Sequence, residues 1–175
     1  MPELSWRAFV RTAALTLGGV ALAQADGPAL ARADPGWEQA AAIVARIKAP
    51  VFPSREFAIT SYGARADAAG ESTAAIRSAI DACARAGGGR VRVPPGRFLT
   101  GPLHLQSGVN LHLDAGATLA FVQDPRAYLP LVLTRFEGVE LMNYSPFIYA
   151  QGASNIAVTG EGTLDGQANP DVWCP

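Results

Sequence analysis

From Arg90 onward, apolar and polar residues alternate in short bursts. Val91 and Val93, Leu103 and Leu105, Leu111 and Leu113, and Leu119 and Phe121 each bracket one polar or small residue. A strand turns successive side chains to opposite faces, so this period of two predicts short strands with one face on a core. Turn residues fall between the bursts and leave little room for helices. Upstream the period lengthens. Ile76, Ile80, Cys83 and Ala84 form one stripe, while Arg77, Asp81 and Arg85 follow at four-residue intervals on another face. That spacing predicts an amphipathic helix, capped by Ser72 or Thr73 and stopped by Gly87-Gly88-Gly89. Phe57, Ile59 and Ser61 alternate with Ala58 and Thr60, which predicts a strand broken at Tyr62-Gly63-Ala64. Trp37, Ala40, Ala41, Val44 and Ile47 predict a short leading helix over Trp37 to Lys48, ending near Ala49-Pro50.

The strands echo one another. Asn110-Leu111-His112-Leu113 matches Asn155-Ile156-Ala157-Val158, and Thr118-Leu119 matches Thr163-Leu164, both at a spacing of 45 residues. Val91 and Val93 precede Leu111 and Leu113 by 20. Coils of roughly 20 to 25 residues that stack inward side chains on the coil below describe a parallel β-helix, and the longer echo reads as two such coils. The fold class expected is therefore all-β, with each coil hydrogen-bonded to the next and open edges only at the ends. The helix from Thr73 to Ala86 is placed to cover the first end. An antiparallel sandwich is the alternative that strand spacing alone leaves open.

Residues 1–25 read as an export signal. Arg7 and Arg11 form a basic region, Thr12 to Ala23 is uncharged and too short for a stable membrane span, and small-residue cleavage patterns end at Ala25 and again at Ala33. Ser5 to Arg11 resembles a twin-arginine motif with Trp6 in place of the first arginine. The competing reading is an apolar helix that stays anchored or buried. Residues 26–56 read as a linker and short helix, and 57–175 as the solenoid. A net charge of −1 and a pI near 6.1 give no electrostatic footprint for nucleic acid. Cys83 and Cys174 are too few and too far apart for a disulfide framework or a zinc cluster, and Cys83 reads as a buried free thiol.

These residues also carry a family resemblance. Phe57 to Ala64, the helix after Ser72, Gly87 to Gly96 and Leu99-Thr100-Gly101-Pro102-Leu103 resemble the opening of pectin-degrading right-handed β-helix enzymes. Asn110 to Leu119, Pro146 to Ala150 and Asn155 to Gly166, with Trp173 beyond, are similar to the polygalacturonase-like glycoside hydrolases of family 28. The resemblance covers about Phe57 to Trp173. It implies inverting hydrolysis of α-linked galacturonan, with an acidic polysaccharide as partner and no cofactor. Inverting chemistry places its carboxyl groups about 6.5–9.5 Å apart across the bond.

The family's Asn-Thr-Asp, Asp-Asp and Gly-His-Gly motifs occur nowhere in the 175 residues. The expectation is an N-terminal portion of such an enzyme, inactive alone, with an exposed last coil, no catalytic or metal-binding residue of its own and an unassigned substrate-binding set. Arg46-Ile47-Lys48 repeats the family's Arg-x-Lys letters but lies before the solenoid, and reads as coincidence. His104 and His112 stand between leucines and should face away from the core. Asp165, Asp114 and Glu161 read as turn residues before they read as substrate contacts. Tyr149 and Trp173 are candidates for stacking on a sugar, weighed against packing. A non-catalytic polysaccharide-binding β-helix is the alternative function. Lyase chemistry would need clustered carboxylates for calcium, which the sequence does not offer.

Overall fold

The computed structural model describes residues 35–67 and 70–169. The export segment, Trp173 and Cys174 lie outside the described residues. The chain divides into two units after Ile47.

In the first unit, helices α1 (Pro35–Glu38) and α2 (Ala40–Arg46) replace the single helix expected over Trp37 to Lys48. Ile47 is already extended, and no α2 residue is buried. The approach to Pro50 disfavours further helical residues. Trp37, Val44 and Ile47, three of the residues expected on the apolar face, are exposed, Trp37 to 80%.

The second unit is a stack of coils. Strand β1 (Glu56–Ala58) opens it; β2 (Gly89–Val93), β3 (Gly96–Thr100) and β4 (Leu103–His104) make the next level. Then come β5 (Val109–Leu113), β6 (Ala117–Phe121), a hairpin of β7 (Val132–Phe136) and β8 (Val139–Asn143), and β9 (Ile148–Tyr149). Strands β10 (Ala157–Gly160) and β11 (Thr163–Asp165) form the last described level. Three sheets run up the stack, ordered β1-β2-β5-β10, β3-β6-β11 and β4-β9. Every pair within them is parallel. The antiparallel sandwich is thereby set aside, and among the described residues only the hairpin pairs antiparallel.

In-register stacking makes the core. Val91 lies on Leu111 and Val93 on Leu113 in one sheet, and Phe98 lies on Leu119 in another, all buried. Removing a side chain of this size from water contributes roughly 1.5–3 kcal/mol. The same inward columns continue to Val158 and Leu164 on the last level, where they are 45% and 44% exposed because no further described coil covers them.

Helix α3 (Thr73–Arg85) buries Ile76, Ala79, Ile80 and Cys83 in the same core. It ends as its glycines predict: the amide of Gly88 donates to the carbonyl of Cys83 and that of Gly87 to Ala84, both at 2.9 Å, with Gly87 at φ +82°. Its start differs from expectation. Ser72 makes no side-chain cap; its amide donates to the Leu99 carbonyl at 2.7 Å. Thr73 is likewise diverted, its hydroxyl oxygen accepting from the Gly101 amide at 2.6 Å. Both residues therefore tie the helix to the β3–β4 corner.

Two further expectations are corrected. The strand over Phe57 to Ser61 stops at Ala58, and Ile59–Tyr62 form a 3-10 turn closed by Gly63 at φ +98°. Ile59 still reaches the core, fully buried. The 45-residue echo is one coil rather than two. Strand β5 pairs directly with β10, and the added length is an excursion between β6 and β9 that contains the hairpin. Thr118 and Leu119 do pair with Thr163 and Leu164, but Asn110 pairs with Ala157 instead of Asn155. The slip is two residues, which leaves every side chain on its own face.

Candidate functional site

The outward face of the first sheet carries a polar ladder. Arg92, His112 and Thr159 stand in register on β2, β5 and β10. His112 Nδ1 lies 2.8 Å from the Thr159 hydroxyl, which donates to Asn110 Oδ1 at 2.8 Å. With that hydroxyl proton committed to Asn110, His112 is the donor to Thr159. Asp114, at the end of β5, accepts from Arg92 Nε at 2.7 Å and has Oδ1 3.7 Å from His112 Nε2. Glu56 adds a 3.2 Å contact to Arg92. Asp114 first, and Glu56 after it, raise the Arg92 guanidinium above its ordinary range. The Arg92–Glu56 pair is exposed and contributes little to stability. Asp114 thus serves the ladder between coils.

His104, outward on β4, sits among other partners. Its Nε2 is 3.0 Å from Ser145 Oγ, and its ring tilts against Tyr149 at 5.1 Å. Burial, and then the Arg77 charge, push the imidazole below its usual range, so it is neutral near pH 7. Arg77 on α3 gives Nε and Nη2 to the Pro102 carbonyl, and Asp81 one turn along accepts from Gln106. These groups surround a hollow of about 230 Å³.

The remaining sequence candidates lie apart. Asp165 Oδ1 accepts from the Gln167 amide at 2.8 Å, which closes a turn at the end of β11. Glu161 is exposed, and its amide donates to the Leu113 carbonyl at 3.0 Å. The Tyr149 hydroxyl lies 2.8 Å from both the Leu133 carbonyl and Gln151 Oε1, so it is held by the base of the hairpin. Arg46 is exposed at the end of α2, and Lys48 follows in the next unit.

Two features escaped the sequence reading. Gln167 bridges three places: Nε2 donates to the Phe121 carbonyl at 2.7 Å, Oε1 accepts from Arg97 at 2.6 Å, and its carbonyl accepts from Gln123 at 2.6 Å. An apolar hollow of about 570 Å³ opens beside Phe147, lined by Tyr128, Tyr144 and Pro125. Phe147 stacks on Phe121 at 4.5 Å, and the Tyr128 hydroxyl donates to the Val122 carbonyl at 2.6 Å. Desolvation raises the Tyr128 phenol to about 12. The aromatic spacing between 128 and 147 was a signal, but only the β6–β9 excursion brings those residues together. Among the described residues no group of three metal-ligating side chains occurs, and no helix is long and apolar enough to cross a membrane.

No family model matches the chain. An exo-poly-α-D-galacturonosidase of Dickeya chrysanthemi is 36% identical over 116 residues, covering 62% of this chain and 19% of that protein. An endo-polygalacturonase of Pectobacterium carotovorum subsp. carotovorum is 34% identical over 104 residues, covering 54% of this chain and 24% of that one. The crystal structure of a hyperthermoactive exopolygalacturonase from Thermotoga maritima superposes with a TM-score of 0.73 at 45% identity, over 76% of this chain and 30% of that one. The chain therefore spans about a fifth to a third of the length of these relatives. Over most of its described length the chain is similar to polygalacturonases of both exo and endo type, and its own coils stack in parallel.

Proposed function

We propose that these residues form coils of a right-handed β-helix in an exported galacturonan hydrolase, and that cleavage is carried by residues outside this 175-residue chain. The observation that carries the reading is the 45% identity to the Thermotoga maritima exopolygalacturonase over 76% of this chain, combined with parallel pairing at every level of the stack. Right-handedness is what the family resemblance implies. Asp114 and Asp165 have structural engagements, and the sequence lacks Asn-Thr-Asp, Asp-Asp and Gly-His-Gly. The chain alone accordingly binds or supports substrate without cleaving it. Inverting hydrolysis of α-linkages is the chemistry assigned to the whole enzyme, and pectin is its substrate.

The test is the reading frame contiguous with Pro175. A frame that encodes the three motifs, and whose product releases reducing ends from polygalacturonate with inversion at the anomeric carbon, supports the reading. A frame without them refutes it. Export is proposed from the basic and apolar runs before Ala25, with the periplasm or exterior as destination. Residues 1–40 fused to a reporter should yield a mature N-terminus after Ala25 or Ala33 by mass spectrometry; an uncleaved cytoplasmic reporter would refute it.

A further inference from the structure

The hollow beside His104 brings together side chains from three places in the chain: Arg77 and Asp81 from α3, His104 and Gln106 from the outward positions of β4 and the residues after it, and Ser145 from the approach to β9. Each polar group is already oriented. The Arg77 guanidinium is held by two bonds to the Pro102 carbonyl at 3.2 and 2.8 Å. The Ser145 hydroxyl donates to the Pro146 carbonyl at 3.1 Å, so His104 offers its Nε2 proton to Ser145 and keeps an open lone pair on Nδ1. Asp81 accepts one bond from Gln106. What is left over is a mixed set: unused guanidinium N–H donors on Arg77, free carboxylate lone pairs on Asp81, and the acceptor nitrogen of His104.

Leu129 and Pro130 supply an apolar margin. Balanced charge, donors beside acceptors and one apolar wall match a ring that carries several hydroxyls, each able to donate and accept. A simple anion fits less well, because Asp81 would repel it. The volume of about 230 Å³ lies below the roughly 300 Å³ at which pockets for drug-sized ligands begin, which suits one ring and not a chain.

We infer that this hollow binds a single pyranose unit, Asp81 accepting hydroxyl protons and Arg77 donating to ring substituents. The choice of a sugar among small polyhydroxylated ligands rests on the galacturonan reading above; the layout of donors and acceptors does not.

The experiment titrates the full chain with D-galactose and with D-galacturonate, followed by calorimetry and saturation-transfer NMR. At least one sugar should bind in about the millimolar range. Asp81→Ala should weaken binding at least about tenfold, and Gln106→Trp, which fills the hollow, should abolish saturation transfer; both should leave the thermal midpoint in place. A preference for galacturonate assigns the Arg77 donors to its carboxylate, equal affinity assigns them to hydroxyls, and either supports the site. No binding at about 50 mM, or binding that survives both substitutions, overturns it. Polygalacturonate hydrolysis by the product of the contiguous frame, without monosaccharide binding at this hollow, would leave the galacturonan reading standing and this inference refuted. Binding here without hydrolysis by that product would do the reverse.

Discussion

Replacing Gly160 by alanine, with Gly63→Ala as its partner experiment, separates backbone conformation from close packing. The two glycines have nearly the same dihedral, φ +104° and +98°. An alanine at either pays about 1–2 kcal/mol for the left-handed region. Space differs. A Cβ at Gly63 would meet nothing within 4 Å, whereas one at Gly160 would overlap the Leu113 carbonyl oxygen and stand 2.8 Å from its carbon. That contact is main chain and cannot swing aside, so the last coil must retreat. The amides of Glu161 and Gly162, which donate to the same carbonyl at 3.0 and 3.3 Å, then weaken at about 1 kcal/mol each. The expected costs are about 1.5 kcal/mol for Gly63→Ala and about 3.5 for Gly160→Ala. For a unit of this size these correspond to midpoint losses of about 6 and 14 °C. Thermal unfolding by circular dichroism measures both, and hydrogen exchange should localise the extra loss to Ala157–Gly160. Equal midpoint losses for the two variants would refute the close approach of the last two coils.

Three other outcomes follow from buried or shielded groups. Tyr128→Phe leaves the Val122 carbonyl without its donor and should cost about 1–2 kcal/mol by urea denaturation. Because the folded phenol sits at about 12 against 10.0 ordinarily, its contribution is intact below pH 10 and disappears as pH rises toward 12; the variant should lack that alkaline loss. His104 is depressed below 6.5, so its contribution is full above pH 6.5 and falls as pH drops through the folded value; His104→Gln should flatten stability measured between pH 7 and 5. Cys83 is buried and its thiol is raised by desolvation, so iodoacetamide should label it only at the rate of unfolding. Rapid labelling of the native protein would show that the α3 face is not closed.

The solenoid between Arg90 and Phe121 was legible because side-chain alternation and inter-coil stacking act on the same residues. Val91, Leu111 and their neighbours report both at once, and the 20-residue interval is a true coil. The 45-residue echo misled because sequence similarity records which strands are alike, and says nothing of how much chain runs between them. Residues 122–145 fall within the expected solenoid, but no element is predicted for them. Glu137 and Gly138, both at positive φ, turn a hairpin whose Phe136, Val139 and Met142 are exposed, so its apolar residues obey no core-facing pattern. At the candidate site, outward placement of His104 and His112 was readable from parity alone. Their company was not: Ser145 reaches His104 across 41 residues and Thr159 reaches His112 across 47, through parallel neighbours no local pattern encodes.

The hairpin excursion separates two quantities that a solenoid is usually thought to couple. Strands β5 and β6 meet β10 and β11 at intervals of 47 and 45 residues, while β2 and β3 meet β5 and β6 at 20 and 21, yet the stacking is the same. Coil length is therefore a free variable. Mutation can lengthen or shorten the hairpin without re-registering the levels above and below it, while Tyr128 and Ser145 at the roots of the excursion keep their contacts. A library of grafts at Glu137-Gly138 would vary the rim of the protein against a constant scaffold.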